Sequence, residues 1–368
     1  KLLCELGTQE AAAEKLGLSR TAVRKSLAQL EKKMVSKGLL PAYDDAGAGV
    51  GRIVKKATTH IKGGEVVQEW VRTDTDAENA LEMVRQMVEV MTDEVKGLSV
   101  PVSAPEVNDD DLMSLYCFFD RHVGMMSWNK ETADDNYNLQ LACELESIVI
   151  NRLVASQPSS GEAVAVFGSD FFHAEDDDQL TPGHKNKLDV DGRASKVFKT
   201  GVMIAINAIY EMLKKHKTVR VEVVPGNHDP VSSDHLMVAL WAFFSNNDRV
   251  EVITTQGPFA YYRFGTTLLA FQHGDKAKPN DMYTIITTDR RDDWSEIEFA
   301  DVYTGHIHTE KVTNIGIIRF ESMPTPIPRD AYASTKWRSR RAAHAITYDK
   351  NCGMVGRSIH NISPAAKG

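Results

Sequence analysis

The chain has 368 residues, 42% hydrophobic and 26% charged, with a formal net charge of -8. That length allows one large domain with a small one, and that composition is that of a water-soluble globular protein. The acidic balance excludes a protein that coats nucleic acid over its whole surface, and no run reaches the roughly eighteen uncharged apolar residues of a membrane span.

The charge is uneven. Between Lys1 and Leu40 the basic residues Lys1, Lys15, Arg20, Arg24, Lys25, Lys32, Lys33 and Lys37 outnumber Glu5, Glu10, Glu14 and Glu31. Residues 8–37 read as two short helices: Gln9 to Leu16 is Ala-rich, Gly17 ends it, and Ser19 caps the next. Ala12, Leu16, Leu18, Val23, Leu27 and Leu30 supply a shared inner face. Residues 1–40 thus read as a helix-turn-helix, with Arg20, Thr21, Arg24 and Lys25 facing DNA. The plain alternative is a helical hairpin with a solvated basic face.

Residues 41–111 read as a β-hairpin, a helix and a linker. Strands at Arg52–Ile61 and Val66–Arg72 flank a Lys62-Gly63-Gly64-Glu65 turn. Glu78–Lys96 is an amphipathic helix with Leu81, Val84, Met87, Val88 and Met91 on one side, and Ser99–Asp111 is the linker. From residue 112 to 368 strands alternate with helices, the pattern of a layered α/β domain. The strands are Leu115–Phe119, Ala163–Phe167, Val219–Val224, Thr267–Phe271 and Ala300–Tyr303. The helices are Leu139–Val154, Lys196–Lys215 and Ser232–Phe244. Ile315–Phe320 and His344–Tyr348 extend the sheet or form a second one. Cys4, Cys117, Cys143 and Cys352 show no CxxC pair, which fits reduced thiols in the cytoplasm and neither a zinc ribbon nor a disulfide framework.

Each of the five strands ends in residues of metal-ligand type. These are Asp120-Arg121-His122, Gly168-Ser169-Asp170-Phe171-Phe172-His173, Pro225-Gly226-Asn227-His228-Asp229, His273-Gly274-Asp275 and Gly305-His306-Ile307-His308. Any one of these is readily a polar turn or a core histidine, but five strand ends in a row point to a metal site at one edge of an open sheet.

This set, in this order, resembles the calcineurin-like metallophosphoesterase superfamily, whose pattern is D-x-H, G-D, G-N-H-D/E, H and G-H-x-H. The resemblance implies a β-sandwich flanked by helices and a two-metal phosphoesterase. Asp120, His122 and His308 would hold one divalent ion, Asn227, His273 and His306 the other, and Asp170 would bridge them. Manganese is the first choice, with magnesium, zinc and iron as alternatives. Hydroxide shared by the two ions would attack phosphorus in line. His228 would serve as proton donor or transition-state stabiliser, with Asp229 orienting its ring. Ser169 departs from the pattern, which has Gly before the bridging Asp.

The Asp170-Phe171-Phe172-His173 segment resembles the Gly-Asp-Leu-Phe-His segment of SbcCD-type repair nucleases, where the extra histidine contacts DNA phosphates. The substrate implied is DNA, cut by an exo- or endonuclease. A phosphatase or cyclic-nucleotide phosphodiesterase with an N-terminal interaction module is the alternative, and a non-catalytic DNA-binding regulator a second. Lys336-Trp337-Arg338 offers a further DNA contact, since a Trp among cations can stack on a base, or else it is a solvated loop. In the long loop Ala174–Arg193, His184, Lys185 and Arg193 are candidates for substrate phosphate contact. About sixty residues follow His308, too few for both a DNA-binding cap and an ATPase-docking segment, so an ATPase partner is not expected. A homodimer is left open. A helix-turn-helix joined to this domain resembles phage-encoded metallophosphoesterases, which places the protein in the host cytoplasm.

Overall fold

The computed structural model describes residues 52–62, 65–75, 96–106, 108–254, 257–335 and 338–363. The helix-turn-helix with Arg20, Thr21, Arg24 and Lys25, the helix read from Glu78 up to residue 95, and Lys336 and Trp337 lie outside the described residues. The chain divides into two compact units, Lys1–Glu89 and Val90–Gly368. In the first, β1 (Arg52–Lys62) and β2 (Glu65–Thr75) pair antiparallel, with Lys62 opposite Glu65.

In the second unit the strands are β3 (Asp109–Cys117), β4 (Ser160–Gly168), β5 (Thr218–Val224), β6 (Val250–Val252), β7 (Ala260–Phe264), β8 (Thr267–Gln272), β9 (Phe299–Thr304), β10 (Lys311–Ile315), β11 (Ile318–Ser322), β12 (Ala342–Asp349) and β13 (Gly353–Asn361). They form a six-stranded sheet ordered β13-β12-β3-β4-β5-β6 and a five-stranded sheet ordered β10-β11-β9-β8-β7. Strands β3 to β6 run parallel, as do β8, β9 and β11. Parallel strands are buried on both faces and need apolar residues at nearly every position, which is why Ala163 to Phe167 and Leu268 to Phe271 are buried without a break.

Leu115, Val164 and Val166 of one sheet meet Leu269, Phe271 and Tyr303 of the other to form the inner core. Helices α1 (Leu139–Ser156), α2 (Ala194–Lys215) and α3 (Pro230–Phe243) pack Val149, Leu153, Ile209 and Leu240 on the outer face of the larger sheet, against Tyr116, Ala165 and Phe167. Helix α4 (Pro279–Asp289) covers the smaller sheet with Met282 and Ile286 over Leu268, Ala270 and Val302. This is the layered α/β domain expected from the sequence pattern, in the helix-flanked sandwich form that the resemblance implied. No helix among the described residues is long and apolar enough to cross a membrane.

Three local differences have physical causes. The run Ile315–Phe320 is not one strand, because Gly316 adopts φ 59° and turns it into the β10–β11 hairpin. Helix α4 leaves little periodic signal in the sequence, because only Met282 and Ile286 are buried in a largely polar segment. The linker is docked: Asn247 Nδ2 donates to Ser99 Oγ at 3.1 Å, Val100 N donates to Tyr210 Oη at 2.9 Å, and β3 already begins at Asp109.

The sandwich also holds a costly carboxylate. Glu222 on β5 is 4% exposed and receives Arg220 Nε at 2.9 Å. Burial outweighs that ion pair and lifts Glu222 from 4.5 to about 7. Between those values the folded chain binds more protons than the unfolded one, so this contribution to stability is full below 4.5 and lost as pH rises through 7. Glu222→Gln should therefore match the parent in melting temperature at pH 5 and exceed it by about 3 °C at pH 8. A gap that does not change with pH would contradict this account.

Candidate metal centre

Because β3, β4 and β5 are parallel, as are β8 and β9, their C-terminal ends share one edge of the sandwich, the edge where open α/β sheets place their sites. The strand-end loops are laced together by main-chain bonds. Asp120 N donates to Ser169 O at 2.9 Å, His122 N to Asp170 O at 3.0 Å, and Gly305 N to His273 O at 2.8 Å. Asp229 is fully buried, and its carboxylate accepts from the main-chain N–H groups of Asp170, Gly226 and Phe172 at 3.2, 3.0 and 3.0 Å. A Cβ on Gly226 would lie 2.1 Å from Asp170 Oδ1, and one on Gly305 would lie 2.4 Å from Asp120 Oδ2. Only glycine permits either approach.

The backbone is strained here. Asp120, His122, Ser169, Asp170, His306 and His308 have φ between 42° and 72°, in the left-handed region that L-residues avoid. Such strain gathers where a site requires it.

Two groups of donors result. In the first, His308 Nε2 lies 3.2 Å from His122 Nε2 and 3.3 Å from Asp120 Oδ1. In the second, His273 Nε2 lies 2.8 Å from Asn227 Oδ1, 3.0 Å from His306 Nδ1 and 3.2 Å from Asp170 Oδ2. Donors about 2.1 Å from one ion stand roughly 3.0–3.4 Å apart along the edges of an octahedron or tetrahedron. Four of the five spacings fall in that range and the fifth, His273 to Asn227 at 2.8 Å, is slightly shorter; mixed imidazole, carboxylate and amide oxygen donors suit a divalent transition metal. The Asp170 charge also acts on His122 and His308 in the other group.

The protonation states suit cation binding. Burial and the neighbouring imidazoles of His228 and His308 hold His122 well below 6.5, neutral and able to donate a lone pair. For His273 burial is outweighed by Asp170, which lifts the imidazole to about 9, while His273 in turn holds Asp170 well below 3.8 despite burial. A cation between them would take the place of that proton.

The remaining candidates fall in different places. His228 donates Nδ1–H to His173 O at 2.8 Å, a bond only the protonated nitrogen can make. Its Nε2 faces Asp170 Oδ2 at 4.0 Å. Asp229 does not orient that ring, since its oxygens are committed to the three main-chain groups. His173 does not reach the surface: it is 1% exposed, with Nδ1 3.1 Å from His122 Nδ1 and Nε2 buried without a partner. It backs a candidate ligand. His184, Lys185 and Arg193 are exposed on the long loop, and no hydrogen bond, ion pair or ring contact joins them to either donor group. Arg338 is exposed, with Nη1 on Ser334 O at 2.6 Å.

Ser169, read from the sequence only as a departure from the glycine pattern, belongs to the site. It is fully buried, and its Oγ lies 2.9 Å from His273 Nδ1, fixing the ring so that Nε2 faces the other donors. Outer partners of this kind set the affinity of histidine ligands. Ser169→Ala should keep the fold and lower affinity for Mn2+ by about tenfold, as read by calorimetric titration. Unchanged affinity would remove Ser169 from the site.

No protein-family profile matches the chain, and no curated protein matches it. Among solved structures it is similar to an uncharacterized predicted phosphoesterase of Streptococcus pneumoniae TIGR4, at 11% identity and a TM-score of 0.27 over 68% of this chain and 98% of that one. A Vps29 of Entamoeba histolytica complexed with zinc matches at 12% identity and 0.28, over 68% and 99%. A hypothetical protein of Pyrococcus horikoshii OT3 matches at 12% identity and 0.31, over 70% and 89%. At these scores the likeness bears no weight, and the reading of the site rests on its own geometry.

Proposed function

We propose that the chain is a metal-dependent phosphodiesterase that hydrolyses DNA. One observation carries the hydrolase reading: two groups of oxygen and imidazole donors, spaced 2.8–3.3 Å apart, lie at the shared strand edge of the sandwich. Asp120, His122 and His308 would hold one ion and Asn227, His273 and His306 a second, with Asp170 between them. A pair of divalent ions there, with manganese the first choice, would polarise the phosphoryl oxygens and lower the pKa of water.

The chain's own residues supply the rest. His228 is fixed by its Nδ1–H bond, so an added proton resides on Nε2, the end turned toward the site. As imidazolium it can give that proton to the leaving oxygen. Gly226 and Gly305 keep the main chain clear of the two carboxylates. Asp229 holds the β4 and β5 turns in register, so its role is positional.

Support for DNA comes from elsewhere in the sequence. It lies in the basic helix-turn-helix pattern around Arg20, Thr21, Arg24 and Lys25 and in the cationic Lys336–Arg341 stretch. It does not come from a phosphate contact by His173, which is buried.

With Mn2+, the purified chain should degrade linear DNA and hydrolyse bis(p-nitrophenyl) phosphate, and EDTA should stop both. His228→Ala should lower turnover by about a hundredfold or more while bound Mn2+ stays at the parent level. Hydrolysis of p-nitrophenyl phosphate with DNA untouched would rule out the nuclease reading.

A further inference from the structure

His308 forms one wall of a small crevice closed by Thr325, Arg329, Ser339, Arg340 and Arg341. Two of its arginines are already neutralised. Arg329 Nε lies 3.2 Å from Asp134 Oδ2, and Arg341 Nη1 lies 2.5 Å from Asp135 Oδ2 and 3.3 Å from Asp134 Oδ1. Arg340 is exposed and has no hydrogen bond or ion pair with any described residue. Its loop is tied to the centre, because Ser339 Oγ hydrogen-bonds Thr309 Oγ1, next to His308.

A guanidinium with no partner among the described residues, lining the same crevice as a candidate cation ligand, offers a planar fork that matches a phosphate in two-point contact. The crevice holds ≈ 30 Å³, room for an oxygen or two but not for a base or sugar. We propose that Arg340 and Ser339 form an anion subsite for a second substrate phosphate, next to the one attacked. Resting on the phosphodiesterase reading, this names the preferred substrate as a diester flanked by a further phosphate, as in an oligonucleotide, in preference to an isolated diester.

The test is equilibrium binding of the dinucleotides pTpT and TpT, which differ by one terminal phosphate, to the full chain in Ca2+. The parent should favour pTpT by about tenfold, Arg340→Ala should bind both alike, and Arg340→Lys should keep part of the preference. A preference that persists in Arg340→Ala, or is absent from the parent, overturns the subsite. Hydrolysis of bis(p-nitrophenyl) phosphate by the parent in Mn2+ examines the phosphodiesterase reading separately. Failure there, with the pTpT preference intact, would sink that reading and leave the anion subsite standing.

Discussion

One buried carboxylate holds the strand-end edge together. Asp229 accepts three main-chain hydrogen bonds, two from the loop after β4 and one from the turn after β5. Those two loops carry Asp170, Asn227 and His228. Burial, and then the nearby Asp170 charge, push Asp229 up to about 7. The fold thus accepts a poorly solvated carboxyl to keep the two turns together. Hydrogen bonds to a buried charge count for about 1.5–3 kcal/mol each, enough to offset left-handed backbone at Ser169 and Asp170.

Beyond the clamp, electrostatics decides how the edge behaves. Six imidazoles and the carboxylates of Asp120, Asp170 and Asp229 crowd one end of the sandwich. Burial and mutual repulsion drive His122 and His173 toward neutrality, with His173 at about 3. His273 and His308 go the other way because each faces a carboxylate, Asp170 and Asp120 respectively. Packing so many lone pairs this closely is costly unless something positive joins them. A divalent cation in each donor group would join the lone pairs of His122 and His308 and of His273 and His306 to the carboxylates, which would link the strained backbone to the proposed chemistry.

Much of this was legible in the sequence, for a physical reason. Parallel strands buried on both faces read as unbroken apolar runs, and each ends where polar residues begin, so Ala163–Phe167 and Val219–Val224 led to Asp170 and Asn227. The layered α/β domain followed from that pattern, and the two-sheet sandwich from the family resemblance. What could not be read depends on contacts between residues far apart in the chain. Ser169 looked like a mere departure from pattern because its partner His273 lies 104 residues on. The oxygens of Asp229 and the burial of His173 are likewise settled by loops that the sequence does not show meeting. Helix α4 leaves little periodic signal because only Met282 and Ile286 of it are buried, and the β10–β11 hairpin reads as one strand because its apolar run continues across the Gly316 turn.

The central claim is that two cations bind at this edge, one in each donor group. Anomalous X-ray scattering from crystals grown with Mn2+ tests it most directly. The account predicts two peaks, one bounded by Asp120, His122 and His308 and the other by Asn227, His273 and His306, with Asp170 between them. No peak at this edge, or a single peak away from these residues, would contradict it.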